Sequence, residues 1–279
     1  MMAFPQQESV APPFPEVSHA PAGAEGEVEI AYQEFGHPDD APLVLVPGLG
    51  TQMIYWDEPL CQMLLDRGFR VIRMENRDSG ASTVLDHLGT PESASLFLGL
   101  RRGLRYGLEE MADDLVALLD HLGIERAHVA GFSMGGMIVQ TFAIRHPDRL
   151  ASLCSIMAGT GNRIDALPAP KQGVALLRPR PLDLDGFIAH VEMLARTLGS
   201  TSLPPDPERL RRLATLAWYR GIHPEGTARQ LHAVGTQRER TKALATVSAP
   251  TALALTLARQ AQLKLAALSN RGVMIFDED

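Results

Sequence analysis

Only two cysteines, Cys61 and Cys154, occur in 279 residues, too few and too scattered for a disulfide framework or a metal knuckle. Both lie in apolar surroundings, which reads as buried free thiols and makes a cytoplasmic location the expectation. No apolar run approaches the ~20 residues needed to span a bilayer, so no membrane partner is expected. The N-terminus lacks a basic segment followed by an apolar one, so a signal peptide is not expected there. No basic stripe offsets the net charge of −7, so nucleic acid is excluded as the expected partner. Metal chemistry finds no His-x-x-x-His, His-Glu-x-x-His or cysteine pair at ligand spacing. A dinucleotide cofactor finds no Gly-x-Gly-x-x-Gly at the first helix. Internal repeats are also missing.

The residues present suit a substantial core: 45% are hydrophobic and 21% charged. Residues 1 to 26 are rich in Pro, Ala, Gly and Glu without periodicity, and are expected to form a loose tail. Val28–Phe35 alternates polar and apolar, the pattern of a half-exposed strand, and the aliphatic Leu43–Val46 reads as an interior parallel strand. Phe69–Met74, Arg126–Ala130 and Leu150–Ala158 are further strands. Trp56–Arg67, Glu109–His121 and Met134–His146 are amphipathic helices between them. Strands alternating with helices predict a doubly wound α/β fold with a mostly parallel sheet. Residues 161–237 differ, with proline-rich stretches and helices near Leu184–Leu198 and Pro207–Tyr219. They predict a helical cap over a core formed by 27–160 and 238–279. Thr251–Leu255 and Gly272–Phe276 would be the last strands of that core.

The chain centres on Gly131-Phe132-Ser133-Met134-Gly135-Gly136, placed between a strand and a helix. A turn that tight needs small residues around the serine, and it lifts the hydroxyl to the top of the sheet. Ser133 is therefore the expected nucleophile. The backbone N–H of Met134, and that of Leu49 in the Pro47-Gly48-Leu49-Gly50 loop, are the expected oxyanion donors.

These motifs resemble the α/β-hydrolase superfamily, and within it a capped branch of small esterases similar to aclacinomycin methylesterase and the proline-iminopeptidase-like enzymes. The resemblance is carried by Val46–Gly50, by Asn76-Arg77-Asp78-Ser79-Gly80-Ala81-Ser82, by Ala112–Leu115 through Gly123, by the Ser133 motif, and by His223-Pro224-Glu225-Gly226-Thr227-Ala228-Arg229-Gln230-Leu231. It implies an eight-stranded sheet and hydrolysis of a small apolar ester or amide through an acyl-enzyme on Ser133, with no cofactor, in a monomer or homodimer.

The C-terminal part departs from the family pattern. No Asp or Glu lies between Glu239 and Asp277, and no histidine lies beyond His232. The triad acid and base are thus missing from the places where the family keeps them. Two expectations compete: a truncated or frame-disrupted hydrolase, and a pseudo-hydrolase that retains the pocket to bind a small molecule. Asp165, His223 and His232 are the weak substitute candidates for the missing acid and base. Asp78 is expected to tie its loop down through backbone N–H groups.

Overall fold

The computed structural model describes residues 16–23, 26–92, 100–162, 174–175, 178, 181–199 and 206–254. Among them run seven strands: β1 (Ser18–Ala22), β2 (Val28–Phe35), β3 (Ala41–Val46), β4 (Phe69–Met74), β5 (Ala127–Phe132), β6 (Leu150–Ile156) and β7 (Thr251–Ala254). They form one sheet in the order β1-β2-β4-β3-β5-β6-β7. The pairs β1–β2 and β2–β4 are antiparallel, and every later pair is parallel. The expected final strand Gly272–Phe276, the segment from Leu255 onward and the candidate Asp165 lie outside the described residues.

The interior strands follow from their aliphatic runs. Val44, Leu45 and Val46 of β3 are buried between β4 and β5, as a strand covered on both faces must be. Helices α1 (Glu58–Leu65), α2 (Leu108–His121) and α3 (Met134–Arg145) cover the faces. Leu108, Met111, Leu115, Leu118 and Leu119 put the apolar stripe of α2 into the main core, beside Ile138, Val139 and Phe142 of α3.

Two expectations need correction. Residues 18–22, assigned to a loose tail, form an edge strand whose Ala20 and Ala22 are buried in the main core. Alanine and proline give almost no strand signal, and Pro21 is tolerated because an edge strand needs fewer ladder hydrogen bonds. β2 is also not half-exposed, for Ile30, Ala31, Tyr32 and Gln33 are all buried. β1 covers one side of it, and Ala31 packs with Phe187 of the cap.

The cap contributes α4 (Leu184–Leu198), α5 (Pro207–Tyr219) and α6 (Pro224–Gly235), followed by the single turn α7 (Thr241–Leu244). Phe187, Ile188 and Val191 of α4 pack with Ala214 and Ala217 of α5 onto Met53 and Ile54. β3 lies between β4, which follows it in the chain, and β5, which the chain reaches only after crossing back past β3, and ligand crevices open at such a switch point.

Candidate active site

Ser133 joins β5 to α3 with φ 53° and ψ −122°, a left-handed conformation that side-chain-bearing residues rarely adopt. Its N–H is held by the Ile156 carbonyl at 2.8 Å, and its own carbonyl accepts from Met137 N–H at 3.1 Å. The turn leaves no room for larger neighbours. A methyl group on Gly131 would collide with the Gly135 carbonyl, and one on Gly135 with the Val46 carbonyl. Glycine at 131 lets the start of α3 fold back against the end of β5, and glycine at 135 lets it press against the end of β3.

Across from Ser133 is the loop that follows β3. Gly48 packs against the Phe132 ring, and Asn76 Nδ2 donates to the Pro47 carbonyl at 2.9 Å. Thr51 closes the turn with its N–H (3.3 Å) and its hydroxyl (2.9 Å), both donated to the Gly48 carbonyl. Among the described residues, neither the Leu49 nor the Met134 N–H is taken up by a hydrogen bond. Leu49 is part of the cavity lining, and Met134 directly follows Ser133 in the chain.

The cavity measures about 340 Å³. Its floor is Ser133, Phe132 and the Gly48–Gln52 loop, and its roof is the cap. Phe187, His190, Val191, Leu194 and Leu198 reach it from one face of α4, at the three- and four-residue spacing of a helical stripe. Leu210 and Ala217 of α5 and Ile222 beyond it complete the roof. Among the described lining residues there is no lysine or arginine, and Asp78 is the sole carboxylate.

Two polar latches hold the cap to this floor. Arg220 bonds Glu75 Oε1 at 2.7 Å and Gln52 Oε1 at 3.0 Å, while Gln52 Nε2 donates to the Ala217 and Gly221 carbonyls. Glu75 also accepts from Met53 N–H and Ala81 N–H. In the second latch, Arg229 of α6 grips both oxygens of Asp78, and Tyr106 donates to Asp78 at 2.7 Å. Burial alone would raise the Asp78 carboxyl. Arg229, the Leu85 N–H and the Tyr106 hydroxyl together hold it below the usual aspartate value. Burial beside the same carboxylate pushes the Tyr106 phenol up, so it remains a donor. Asp78 thus binds a backbone N–H as expected, and it also serves as the anchor for the cap.

The histidine candidates fall in different places. His223 precedes α6 and lines the cavity, with Nε2 3.1 Å from the Gly80 carbonyl. A carbonyl only accepts, so Nε2 carries the proton and Nδ1 is the basic nitrogen of the neutral ring. His232 is buried with Nε2 2.7 Å from the Leu100 carbonyl, and it is not part of the cavity lining. His128 bonds Ser152 Oγ at 2.7 Å and packs edge-on against Phe69, beside the sheet. The hydrogen bonds of His223, His232 and His128 all go to groups other than the Ser133 hydroxyl. Sequence reasoning missed His190. Its place three residues after Phe187 and four before Leu194, on the cap's apolar stripe, was the available signal. No three metal-ligating side chains gather among the described residues.

A strand-turn-helix serine under a helical cap, at the switch point of a mostly parallel sheet, defines the hydrolase class of α/β proteins. The family described as alpha/beta hydrolase fold matches residues 41–203, and this chain belongs to it. The rhodomycin D methylesterase DnrP of Streptomyces peucetius is 29% identical over 211 residues, 68% of this chain and 66% of its own length. The 2-hydroxy-6-oxononadienedioate/2-hydroxy-6-oxononatrienedioate hydrolase of Paraburkholderia xenovorans is 31% identical over 156 residues, 55% of this chain and 48% of its own. A thermophilic esterase from Thermogutta terrifontis shares the fold with a TM-score of 0.67 at 21% identity, covering 94% of this chain and 89% of that one. The match to the DnrP relative therefore spans just under two thirds of that protein. No helix among the described residues is long and apolar enough to cross a membrane.

Proposed function

We propose that this chain is a serine hydrolase of the capped esterase branch that cleaves a small, neutral carboxylic ester through an acyl-enzyme on Ser133. One observation carries the reading: the strained Ser133 backbone opens onto a capped apolar cavity beside two N–H groups that make no hydrogen bond among the described residues. Strain held in place by surrounding packing marks functional sites, and donors left unpaired suit a charge that appears only in the transition state.

In this mechanism the Ser133 hydroxyl attacks the ester carbonyl. Leu49 and Met134 N–H groups hold the resulting oxyanion. Of the candidate bases, His223 lines the cavity, and its Nδ1 is assigned to take the serine proton while the Gly80 carbonyl fixes the ring tautomer. That proton then passes to the leaving alcohol. Water, giving its proton to the same nitrogen, attacks the acyl group, and Ser133 regains a proton as the acid departs.

Substrate charge follows from the lining. Asp78 is neutralised by Arg229, and the described walls offer no lysine or arginine to a free carboxylate. The dioate named for the Paraburkholderia relative would find no such cation, whereas a methyl ester, as named for DnrP, is neutral. The two unpaired cysteines support a cytoplasmic setting.

The test is labelling by a fluorophosphonate probe with mass spectrometry of the modified peptide, in the wild type and in Ser133→Ala, His223→Gln and His190→Gln variants. Rapid stoichiometric labelling at Ser133, slowed at least tenfold by His223→Gln, is the expected result. A second reading, a catalytically impaired pseudo-hydrolase that binds a small neutral molecule, draws on the hydrogen bonds of His223, His232 and His128, each made to a group other than the Ser133 hydroxyl. It predicts no labelling of the folded wild type, yet a rise in Tm with unreactive apolar ester analogues.

A further inference from the structure

Among the described residues, three that are not glycine have a left-handed backbone: Asp78 (φ 67°), Ser133 (φ 53°) and Met157 (φ 50°). All three line the same cavity. Two of them are accounted for. Asp78 is held by Arg229 and Tyr106, and Ser133 is the tight turn itself. Met157 has no such ties. A long apolar side chain gains nothing from this conformation, which glycine would adopt without strain. Strain that the surrounding packing maintains clusters at functional sites, so it points to a use for the Met157 side chain.

The sheet fixes where that side chain starts. Phe132 pairs with Ile156 in the β5–β6 register, and the Ile156 carbonyl holds the Ser133 N–H at 2.8 Å. Met157 is the next residue, so it leaves β6 beside the nucleophile. Its side chain is 37% exposed, and of the exposed large apolar side chains among the described residues it alone lines the cavity. The strand order β4-β3-β5-β6 then sorts the groups around Ser133. Leu49 follows β3, and His223 meets Gly80 in the loop after β4, both on the β3 side of β5. Met157 follows β6, on the other side.

The tetrahedral intermediate carries four groups on one carbon: Ser133 Oγ, the oxyanion, the leaving oxygen and the acyl chain. The Leu49 and Met134 N–H groups take the oxyanion, and the leaving oxygen turns to His223 for its proton. The acyl chain is left the β6 side. We propose that Met157 is a specificity-determining residue whose side chain forms the wall for the acyl chain of the ester. The assignment to the acyl side rests on the serine-hydrolase reading above, but the wall itself is a property of the cavity. A thioether on rotatable bonds follows the shape of an apolar chain, and its length sets how many acyl carbons fit.

The test compares Met157→Ala, which removes the wall and keeps the backbone strain, with Met157→Gly, which removes both. The substrates are p-nitrophenyl esters from acetate to octanoate, set against acetates whose alcohol grows over the same range. An apolar pocket discriminates one methylene by about tenfold or more. The hexanoate-to-acetate ratio of kcat/KM is therefore expected to rise at least tenfold in both variants, while ratios in the alcohol series stay within about twofold of wild type. An unchanged acyl ratio, or a change that falls on the alcohol series instead, overturns the proposal. A change confined to Met157→Gly would come from backbone relaxation and overturns it as well. A second readout needs no turnover: the Met157 methyl signal of 13C-methyl-methionine-labelled wild type, assigned by its absence in Met157→Ala. N-methylhexanamide, an unreactive acyl analogue, is expected to shift that signal, and N-methylacetamide to shift it less. If the wild type shows no Ser133-dependent turnover, the hydrolase reading falls while the methyl signal still decides the wall. A Met157 signal unmoved by the hexanamide overturns it.

Discussion

Arg229 and Asp78 face each other as a two-pronged ion pair, Nε to Oδ2 at 2.8 Å and Nη2 to Oδ1 at 2.7 Å, with both side chains buried. The pair ties the third cap helix to the loop beneath the cavity.

Breaking one partner of such a pair strands the other charge in a dry site, which costs about 3–5 kcal/mol. Asp78→Asn is expected to lose this much stability by urea unfolding, although asparagine tolerates the left-handed backbone that Asp78 adopts. The pH dependence has a definite sign. The folded carboxyl lies below its ordinary value of 3.8, so its contribution is fully present above that pH and is lost as pH falls through the folded value. Tm measured across the acid range should therefore fall more steeply for wild type than for Asp78→Asn.

The backbone at Ser133 makes a second prediction. Glycine accepts φ 53°, ψ −122° without a side-chain clash, while alanine does not. Ser133→Gly is expected to be about 1 kcal/mol more stable than Ser133→Ala, and both should lose fluorophosphonate labelling. Equal Tm values for the two variants would show that the turn stores no strain.

Gly135→Ala places a methyl group against the carbonyl oxygens of Val46 and Pro47, which are backbone and cannot swing away. A loss of about 3–5 kcal/mol is expected, the range of overpacked core positions at their worst. Gly68→Ala, where a methyl group meets nothing within 4 Å but φ is 78°, should cost only its backbone strain. Comparing urea midpoints of the two variants separates packing from conformation.

Leu194 lines the neutral roof of the cavity. Leu194→Arg would supply the cation that the described walls lack. Relative kcat/KM for a carboxylate-bearing ester over its neutral methyl counterpart is expected to rise about tenfold, in keeping with about 1–2 kcal/mol for one partly screened ion pair. An unchanged ratio in a folded variant would mean that the carboxylate does not reach α4.

Burial pushes the thiol of Cys61 above its ordinary value, and its Sγ lies 3.6 Å from the Trp56 carbonyl. Iodoacetamide at neutral pH should leave Cys61 unmodified in the native protein and alkylate it only on unfolding, as mass spectrometry of the tryptic peptide would show.

The sequence by itself determined the elements with strong local signals. The aliphatic β3, the amphipathic α2 and the cap helices 184–198 and 207–219 announce themselves through periodicity, and the glycines around Ser133 through the space they must leave. Weak local signals misled: the alanines of β1 became a strand because β2 and α2 offered a covered edge, not because their own propensity required it. Only the tertiary structure decided how the site is held. Arg229 meets Asp78 across 151 residues of chain, Gln230 meets Gly50 across 180, and Arg220 meets Glu75 across 145. Nothing in the neighbours of these residues specifies such pairings. A buried polar group takes whatever partner the packing of sheet and cap brings within reach, and the cost of leaving it unpaired does the selecting.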